Sequence, residues 1–370
     1  MLNSKDSLNN FFKGKDILIT GITGFKGSWL SIWLLNLGAN VYGLALDPPS
    51  EPSLFKSSDL LQKIKYKKID IRNFDDVKNY FLKVNPDFVF HLAAQSLVKT
   101  SYEDPLKTWH TNLMGTVHVL ESLRILNKKC ISLIITSDKC YENNEWCWGY
   151  RETDNLGGAD PYSGSKGSAE LAFSSYYRSF FADNNNTFLC SARAGNVIGG
   201  GDWASNRIVP DCIKSWTQKR PVELRDPKAT RPWQHVLEPL SGYLRIAQLL
   251  SSRANIDGHA FNFGPSLNFE YTVEDVVKRL SSKWPNSKYF CDKKEVNQEK
   301  ESKLLRLNCD KALSLLKWRP TLNFEETIEY TGNWYFNYYN SNEEFIPIEF
   351  CSQQIENFSK LSKERDNLWI

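Results

Sequence analysis

The sequence predicts a doubly wound, mainly parallel α/β sheet with a smaller mixed α/β lobe at its carboxyl edge. Short apolar segments alternate with longer amphipathic ones over the first half of the chain, as in a parallel sheet with helices on both faces. A turn with three glycines follows the first apolar segment directly. After about residue 195 the alternation loosens, and the run from Gly199 to Gly201 interrupts it, which indicates a second lobe.

Periodicity predicts six strands and five helices that largely alternate along the chain. The predicted strands are 17–20, 41–46, 68–71, 88–92, 133–136 and 187–192. The predicted helices are 26–37, 74–84, 105–126, 161–182 and 208–218. In the helix that begins at Pro105, apolar residues recur at spacings of three and four and predict a stripe that faces the core: Leu106, Trp109, Leu113, Val117 and Leu120.

Composition and charge are those of a soluble globular protein. The chain is 41% hydrophobic and 24% charged, with a net charge of +3, so we expect neither nucleic-acid nor membrane binding. The amino-terminal segment has no apolar core of a signal peptide, and we therefore expect a cytoplasmic protein. The eight cysteines and five histidines show no metal-ligand spacing, so no metal is expected.

The three-glycine turn, Gly21-Ile-Thr-Gly24-Phe-Lys-Gly27, predicts a dinucleotide site. Glycines at these positions allow a tight turn and a close approach of the backbone to a pyrophosphate, and the following helix offers its N–H groups. We therefore expect Thr23, Phe25 and Lys26 to lie beside the cofactor as well. A glycine-rich turn without a ligand is the alternative.

Further cofactor contacts are expected after the second, third and fourth strands. Asp47, twenty residues beyond Gly27, could bind a ribose 2′-hydroxyl and favour NAD over NADP, although Asp47 also suits the opening of a turn. Asp70 and Ile71 could meet the adenine. The small residues of Leu92-Ala93-Ala94 would let the cofactor pass close to the backbone.

A reactive cluster is predicted where the fifth strand ends. Thr136, Ser137, Asp138 and Lys139 follow this strand, and Tyr162 precedes Lys166 by four residues on a helix. That spacing places phenol and ammonium on one face, where the ammonium can lower the pKa of the phenol. Open α/β sheets carry their chemistry at the carboxyl ends of strands, so we interpret this segment as an active site.

Together, the glycine turn, the Leu92-Ala93-Ala94 step and Tyr162-x-x-x-Lys166 resemble the extended short-chain dehydrogenase/reductase superfamily, which has a Rossmann-type sheet. Longer strings resemble the CDP-glucose 4,6-dehydratases over about residues 15–335. These strings are Thr20-Gly-Ile-Thr-Gly-Phe-Lys-Gly-Ser-Trp-Leu, Leu46-Asp-Pro-Pro, Thr136-Ser-Asp-Lys-Cys-Tyr-Glu-Asn, Gly195-Asn-Val-Ile-Gly-Gly-Gly-Asp-Trp and Arg231-Pro-Trp-Gln-His-Val-Leu-Glu-Pro.

The resemblance implies conversion of CDP-D-glucose to CDP-4-dehydro-6-deoxy-D-glucose with tightly bound NAD. Tyr162, as phenolate, would take the proton of the 4-hydroxyl, and Lys166 would lower the pKa of Tyr162 and hold the nicotinamide ribose. Thr136 would contact the cofactor, and Ser137 would hydrogen-bond the 4-oxygen. Asp138 would be the acid for loss of water. Lys139 would either remove the C5 proton or only stabilise the enolate-like charge.

The resemblance also implies the substrate contacts and the domain organisation. The substrate residues would be Gln95, Ser137, Asn196, Arg207 and Arg231. Residues 1–195 would form mainly the NAD-binding domain, with Tyr162 and Lys166, and residues 196–340 mainly the nucleotide-sugar lobe, with some segments returning to the sheet. Residues 341–370 would be an extension of unknown role, either a surface helix or an appended tail.

Three other functions remain open from the residues alone. They are a 4,6-dehydratase of another nucleotide sugar, a nucleotide-sugar 4-epimerase, and a non-catalytic NAD-binding protein. An epimerase needs no acid–base pair at C5 and C6, so Asp138 with Lys139 argues against it. A homodimer or a dimer of dimers, formed through the helices that begin near Pro105 and Pro161, is implied by the resemblance.

Overall fold

The computed structural model describes residues 8–183, 186–224, 226–266, 271–284, 287–291, 304–341 and 345–367. Within these ranges the strands are β1 Asp16–Thr20, β2 Asn40–Ala45, β3 Lys65–Lys68, β4 Phe88–His91, β5 Cys130–Ile135, β6 Thr187–Ala194, β7 Val197–Ile198, β8 Val222–Leu224, β9 Thr230–Arg231, β10 Gln234–His235, β11 Ala260–Phe263, β12 Tyr271–Thr272 and β13 Tyr289–Cys291.

The helices follow the strands in alternation through the first half of the chain. They are α1 Leu8–Phe11, α2 Phe25–Asn36, α3 Leu54–Ser57, α4 Phe74–Val84, α5 Val98–Glu103, α6 Pro105–Trp109, α7 Gly115–Ile125, α8 Pro161–Tyr176, α9 Ile208–Thr217, α10 Leu237–Ser251, α11 Val273–Ser281, α12 Phe324–Asn340 and α13 Pro347–Glu364. Three π-helical segments accompany them, at His110–Met114, Tyr177–Phe181 and Ala312–Leu316.

The largest sheet is parallel throughout and has the strand order β11-β6-β5-β4-β1-β2-β3. The chain winds outward from β1 to β3, crosses back to β4 and winds outward again to β6. The direction reverses between β1 and β4, and this switch point opens a crevice at the carboxyl ends of these strands. The predicted doubly wound α/β class is therefore confirmed, and β11 brings a segment of the second half back into the sheet.

Two hydrophobic cores cover the two faces of the sheet. Ile17 and Ile19 of β1 pack into one core, and Leu18 packs into the other, because successive strand residues point to opposite faces. Residues of α2 and α10 line the first core, and residues of α4 and α7 line the second. Beyond the sheet, short pairs form between β7 and β10, β9 and β12, and β8 and β13.

The third strand lies earlier than the predicted range 68–71. It occupies Lys65–Lys68, and the apolar Ile69 and Ile71 enter the second core from the turn that follows. An edge strand that carries lysines lacks the apolar alternation on which the prediction rested, and such charges protect the edge from pairing with other chains.

The predicted core stripe of the helix from Pro105 is confirmed only at Leu120, which is fully buried in the second core. Leu106 is 79% exposed, and the buried face is instead lined by polar and apolar residues: Thr108, Asn112, Thr116, Val119 and Leu123. The π-helical segment His110–Met114 explains the difference, because its extra residue rotates α7 relative to α6 and breaks the regular period.

Much of the carboxyl-terminal extension is a helix that packs on both halves of the chain. In α13, Phe358 meets Trp33 of α2 edge to face, with ring centroids 5.9 Å apart. The indole Nε1 of Trp334 in α12 donates to Cys351 Sγ at 3.3 Å. Buried side chains of α13 thus extend the first core rather than forming a loose tail.

The described part of the chain holds no helix with the length and apolar character needed to cross a membrane. Nor does it bring together three or more His, Cys, Asp or Glu side chains in an arrangement that could bind a metal ion.

Candidate active site

The glycine turn joins β1 to α2 in a space that excludes side chains at two positions. Gly21 has φ of +71°, and a Cβ atom there would lie 2.7 Å from Ala93 Cα. A Cβ atom on Gly27 would lie 2.4 Å from the Gly21 carbonyl oxygen. The N-cap of α2 is Gly24, which has no side chain to cap the first N–H groups. This cradle fits a dinucleotide pyrophosphate at a helix N-terminus.

The residues between these glycines face different parts of the crevice. Thr23 Oγ1 donates to the Leu46 carbonyl at 2.9 Å and ties the turn to the end of β2. Phe25 lies against Gly199 of the second lobe, where a Cβ atom would be 3.2 Å from Phe25 Cζ. Lys26 is directed toward the catalytic cluster, because the charges that act on its amine are those of Arg207, Asp138 and Lys166. Burial and Arg207 lower the pKa of Lys26 to about 8.

Asp47 forms an ion pair with Lys68 where β2 and β3 end. Both side chains are more than half exposed. The carboxylate expected at the ribose 2′-hydroxyl therefore has a lysine beside it. Sequence reasoning missed Lys68, because it belongs to a lysine-rich edge strand without any apolar signal.

The remaining residues expected at the cofactor follow β3 and β4. Asp70 pairs with Arg72 at 2.6 Å, and the hydrogen bond from Arg72 holds the pKa of Asp70 below its usual value. Ile71 is buried against Gly115. In the step from Leu92 to Ala94, the Ala93 N–H donates to Thr20 Oγ1 at 3.1 Å, so this segment lies directly across from the glycine turn.

The turn that was predicted to be catalytic follows β5, and hydrogen bonds of Ser137 hold it in place. The Ser137 hydroxyl donates to Asp138 Oδ1 at 2.9 Å and accepts from the Lys139 N–H at 3.2 Å. Residues Asp138–Cys140 form one 3-10 turn. Asp138 is 3% exposed, and its Oδ2 is buried without a hydrogen-bond partner in the described ranges. Burial raises the pKa of Asp138, against the opposing effect of Lys139.

Tyr162 and Lys166 project from the first turns of α8 toward this turn. Asp160 caps the helix by accepting from the Ser163 N–H at 2.9 Å. Tyr162 is 7% exposed. Burial raises the pKa of Tyr162 to about 12, against the opposing effect of the Ser137 hydroxyl, where a decrease was expected. Burial lowers the pKa of Lys166 to about 8.

The sequence analysis did not identify a buried ion pair that lies next to the residues predicted to be catalytic. Glu170, one helical turn after Lys166, pairs with Arg193 of β6 at 2.8 Å, with side chains only 2% and 4% exposed. Glu170 also accepts from the hydroxyls of Thr136 and Ser191. The hydroxyl of Thr136, which was expected to contact the cofactor, is therefore held by its hydrogen bond to Glu170. The i, i+4 spacing of Lys166 and Glu170 was the one available signal.

The expected substrate residues are only partly brought together. Arg207 donates to Asp202 Oδ2 at 2.8 Å and to Ser96 Oγ at 3.2 Å, so the second lobe reaches the loop after β4. Gln95, next to Ser96, is fixed by Asn112 and Thr108; its N–H donates to Asn112 Oδ1 at 2.8 Å.

Asn196 and Arg231 are tied to their own surroundings. The carbonyl of Asn196 accepts from the Gln234 N–H at 3.2 Å, on the segment that joins β6 to β7. Arg231, on β9, donates to the Thr230 carbonyl at 2.8 Å. Of the expected set, Arg207 is joined by a hydrogen bond to Ser96, the residue after Gln95.

Comparisons with known proteins agree with this geometry. The family model described as GDP-mannose 4,6 dehydratase matches residues 18–331. A CDP-glucose 4,6-dehydratase from Salmonella typhimurium is 46% identical over 330 residues, covering 88% of this chain and 92% of the relative.

Solved structures share the fold at lower identity. The UDP-glucose 4-epimerase of Thermotoga maritima, solved with UDP-glucose, has a TM-score of 0.74 at 21% identity and covers 88% of this chain and 99% of its own. The UDP-glucuronic acid 4-epimerase of Bacillus cereus, solved with UDP-glucuronic acid and NAD, has a TM-score of 0.72 at 23% identity, with coverage of 87% and 99%.

Proposed function

We infer that the protein converts CDP-D-glucose to CDP-4-dehydro-6-deoxy-D-glucose with NAD. The chain belongs to the GDP-mannose 4,6-dehydratase family, and the CDP-glucose 4,6-dehydratase to which it is 46% identical supports this substrate. The observation that carries the inference is the Ser137-Asp138-Lys139 turn, which lies against Tyr162 in a chain 46% identical to a CDP-glucose 4,6-dehydratase. A buried acid beside a reactive phenol suits both the oxidation at C4 and the loss of water from C5 and C6.

The cofactor residues would hold NAD along the crevice between β1 and β4. The glycine turn would bind the pyrophosphate, Asp47 the adenine-side ribose, and Lys166 the nicotinamide-side ribose. When bound, NAD supplies the redox chemistry: a hydride leaves C4 of the sugar and later returns to C6, so no reducing equivalent is consumed. Tyr162 receives the proton of the 4-hydroxyl.

Loss of water requires an acid at O6 and a base at C5. Asp138 is the acid in this proposal, since its burial favours the protonated carboxyl. Lys139, the next residue of the same turn, is the proposed base. Arg207, held between Asp202 and Ser96, would bind the diphosphate of the substrate with its planar fork. Gln95, Asn196 and Arg231 complete the proposed substrate contacts.

We propose a homodimer, or a dimer of dimers, that forms through the outer faces of α6 and α8. These helices are neighbours, because a Cβ atom on Gly164 of α8 would lie 3.2 Å from the Trp109 ring. Large apolar side chains are exposed on α6, on α8 and on the π-helical segments that follow them: Leu106, Met114, Leu171 and Phe180. A second copy would cover them. We also propose a cytoplasmic location, where nucleotide sugars and NAD are available.

The test is incubation of the purified protein with CDP-glucose, followed by mass spectrometry of the sugar nucleotide. Loss of one water without net NADH supports the proposal. An unchanged mass with a new epimer would identify an epimerase instead. Turnover of another nucleotide sugar in preference to CDP-glucose would refute the substrate assignment, and no reaction with any of them would favour a binding protein.

A further inference from the structure

We propose that Tyr141 is a positioning residue for the loss of water, and that it acts by holding Asp138 and Lys139 in place from the far end of their turn. The proposal rests on the dehydratase function proposed above, in which Asp138 is the acid at O6 and Lys139 is the base at C5. Tyr141 is 1% exposed, so it acts through the turn rather than through a contact with the sugar. It would control the rate of elimination and leave the oxidation at C4 nearly unaffected.

Tyr141 is the residue at which the turn after β5 ends. Its N–H closes the 3-10 turn by donating to the Asp138 carbonyl at 3.5 Å. The Cys140 N–H donates to the Ser137 carbonyl at 3.2 Å. The backbone of the proposed acid is therefore bonded directly to the backbone of Tyr141, and a shift of Tyr141 moves the acid with it.

The side chain of Tyr141 is anchored to two neighbouring strands of the sheet. Arg193 Nη1, on β6, donates to the Tyr141 hydroxyl at 2.7 Å. That hydroxyl donates in turn to Asn262 Oδ1, on β11, at 2.7 Å. Burial raises the pKa of the Tyr141 phenol, which keeps the hydroxyl protonated and able to donate. The hydroxyl is thus held both as donor and as acceptor.

The ring of Tyr141 has two further contacts. The Arg193 guanidinium lies 4.9 Å from the ring centroid, within range of a cation–π interaction. The Tyr150 ring stacks on it, with centroids 5.2 Å apart and an interplanar angle of 19°. Asn262 Nδ2 also donates to the Tyr150 carbonyl at 2.8 Å, so the same asparagine is bonded to both tyrosines of the stack. These contacts give Tyr141 a defined position relative to β6 and β11.

The two ends of the turn have different anchors. At its start, Thr136 Oγ1 donates to Glu170 of α8, the helix that also carries the phenol proposed for oxidation. At its end, Tyr141 is bonded to β6 and β11. Ser137 is next to the first anchor, whereas Lys139 is two residues from the second. Loss of the Tyr141 hydroxyl should therefore displace the acid and the base of elimination, while Ser137 keeps its place beside α8.

Rapid-mixing absorbance separates the two chemical steps. With CDP-glucose as substrate, the rise of enzyme-bound NADH reports oxidation at C4, and its decay reports elimination followed by reduction at C6. Tyr141→Phe keeps the ring and removes the hydroxyl, and Arg193 keeps its pair with Glu170. We expect NADH to form within about twofold of the wild-type rate and to decay about tenfold more slowly, because the acid and the base are less well placed.

Two comparisons distinguish positioning from a general loss of stability. Tyr80→Phe, the matched control, removes a buried hydroxyl that donates to the Lys65 carbonyl at 3.0 Å, at the amino end of β3, and should leave both phases unchanged. The effect of Tyr141→Phe on NADH decay should shrink when Asp138→Asn is already present, because Tyr141 acts through the acid. Deuterium at C5 of the substrate should slow Tyr141→Phe more than the wild type, since elimination then limits turnover.

Amide hydrogen exchange of the purified enzyme tests the anchor without turnover. The N–H groups of Cys140 and Tyr141 close the turn, so a peptide spanning residues 137–142 should exchange at least about threefold faster in Tyr141→Phe. A peptide spanning 162–170 of α8 should exchange at the wild-type rate. Asn262→Leu removes the acceptor of the Tyr141 hydroxyl and should have the same effects on exchange and on NADH decay, so it replaces Tyr141→Phe if that variant does not fold.

Three results would overturn the proposal while leaving the dehydratase function intact. They are equal slowing of NADH formation and decay, wild-type rates for both phases, and wild-type exchange of the turn. Failure of the wild type to release water from CDP-glucose would instead overturn the proposed function.

Discussion

Arg207 Nη1 donates to Asp202 Oδ2 at 2.8 Å, and the backbone of Asp202 is itself held by the Tyr335 hydroxyl. The Asp202 N–H donates to that hydroxyl at 3.0 Å, and the hydroxyl donates to the Asp202 carbonyl. A residue of α12 therefore fixes the acid that orients the proposed diphosphate-binding arginine.

This arrangement predicts that substrate binding weakens when the guanidinium group of Arg207 is replaced. Arg207→Lys keeps the charge but loses the paired donors, so KM for the nucleotide sugar should rise on the order of 10-fold with little change in kcat. Asp202→Asn should act in the same direction, because it loosens Arg207. Steady-state kinetics measures both, and the exposed Arg220→Ala is the control. A fall in kcat with unchanged KM would contradict the assignment.

Removing the Glu170 charge should destabilise the fold. Glu170→Gln leaves Arg193 buried without its counter-ion, which should cost about 3–5 kcal/mol of the unfolding free energy. Arg193 and the hydroxyl hydrogen bonds hold the pKa of Glu170 below its usual value, against burial. A depressed pKa stabilises the fold above the unfolded-state value of about 4.5, and this contribution is lost as pH falls through the lower folded-state pKa.

Denaturant unfolding of the wild type and Glu170→Gln at neutral and acid pH measures this effect. The difference between them should be largest near neutrality and shrink in acid. An equal difference at both pH values would show that the carboxylate charge is not the cause.

We expect the Glu238 carboxyl to make the unfolding free energy depend on pH in the opposite direction. This fully buried carboxyl accepts from the N–H groups of Thr321 and Leu322, and burial raises its pKa to about 8. A raised carboxyl pKa favours the protonated form in the fold, so stability is full below the unfolded value of about 4.5 and declines as pH rises toward 8. The total loss should be on the order of a few kcal/mol.

Glu238→Gln keeps an accepting oxygen but cannot ionise. Its unfolding free energy should change less between about pH 5 and 8 than that of the wild type. Thermal unfolding across this range gives the comparison, and parallel curves for the two proteins would rule out Glu238 as the titrating group.

The ion pair of Asp47 with Lys68 predicts weak discrimination between NAD and NADP. Lys68 offsets the carboxylate that would repel a 2′-phosphate, so Lys68→Ala should weaken NADP binding several-fold and leave NAD binding nearly unchanged. Asp47→Ser should reduce the preference for NAD. Dissociation constants from fluorescence titration of the apoprotein measure both, and Lys67→Ala on the same strand is the control. Equal losses for both cofactors would contradict the specificity role.

If the exposed apolar side chains of α6 and α8 form the proposed dimer interface, introducing a charge among them should prevent dimerisation. Leu106→Glu or Leu171→Glu places a carboxylate in the proposed interface, so the protein should sediment as a monomer. Leu82→Glu, on an exposed site of α4, is the matched control and should leave the assembly unchanged. A wild-type sedimentation profile for all three variants would exclude this face as the interface.

Local sequence patterns predicted the elements whose ends are fixed by residues close in sequence. The helix Phe74–Val84 has the predicted bounds, since Asn73 caps it by accepting from the Asp76 N–H and Asn85 ends it in a left-handed conformation. The third strand and the stripe from Leu106 were mispredicted, because an edge strand and a helix that contains a π-helical segment do not follow the regular pattern of a buried element.

The site was predictable where its residues share one segment. Ser137, Asp138 and Tyr162 are within one strand–loop–helix unit, and a hydrogen bond joins Ser137 to Asp138. The partners that orient them come from distant segments: Arg193 lies 23 residues from Glu170, and Tyr335 lies 133 residues from Asp202. Only tertiary packing brings these pairs together, and no local spacing encodes it.

The contact of Phe358 with Trp33 has a consequence for how the chain is made. The helix that begins at the glycine turn is covered on its outer side by residues that are synthesised more than three hundred positions later. During translation, Trp33 stays uncovered until residue 358 has left the ribosome, long after the strands of the sheet have emerged. The nascent protein therefore carries this exposed indole surface until α13 has been synthesised, and the packing of α13, rather than formation of the sheet, removes that risk of aggregation.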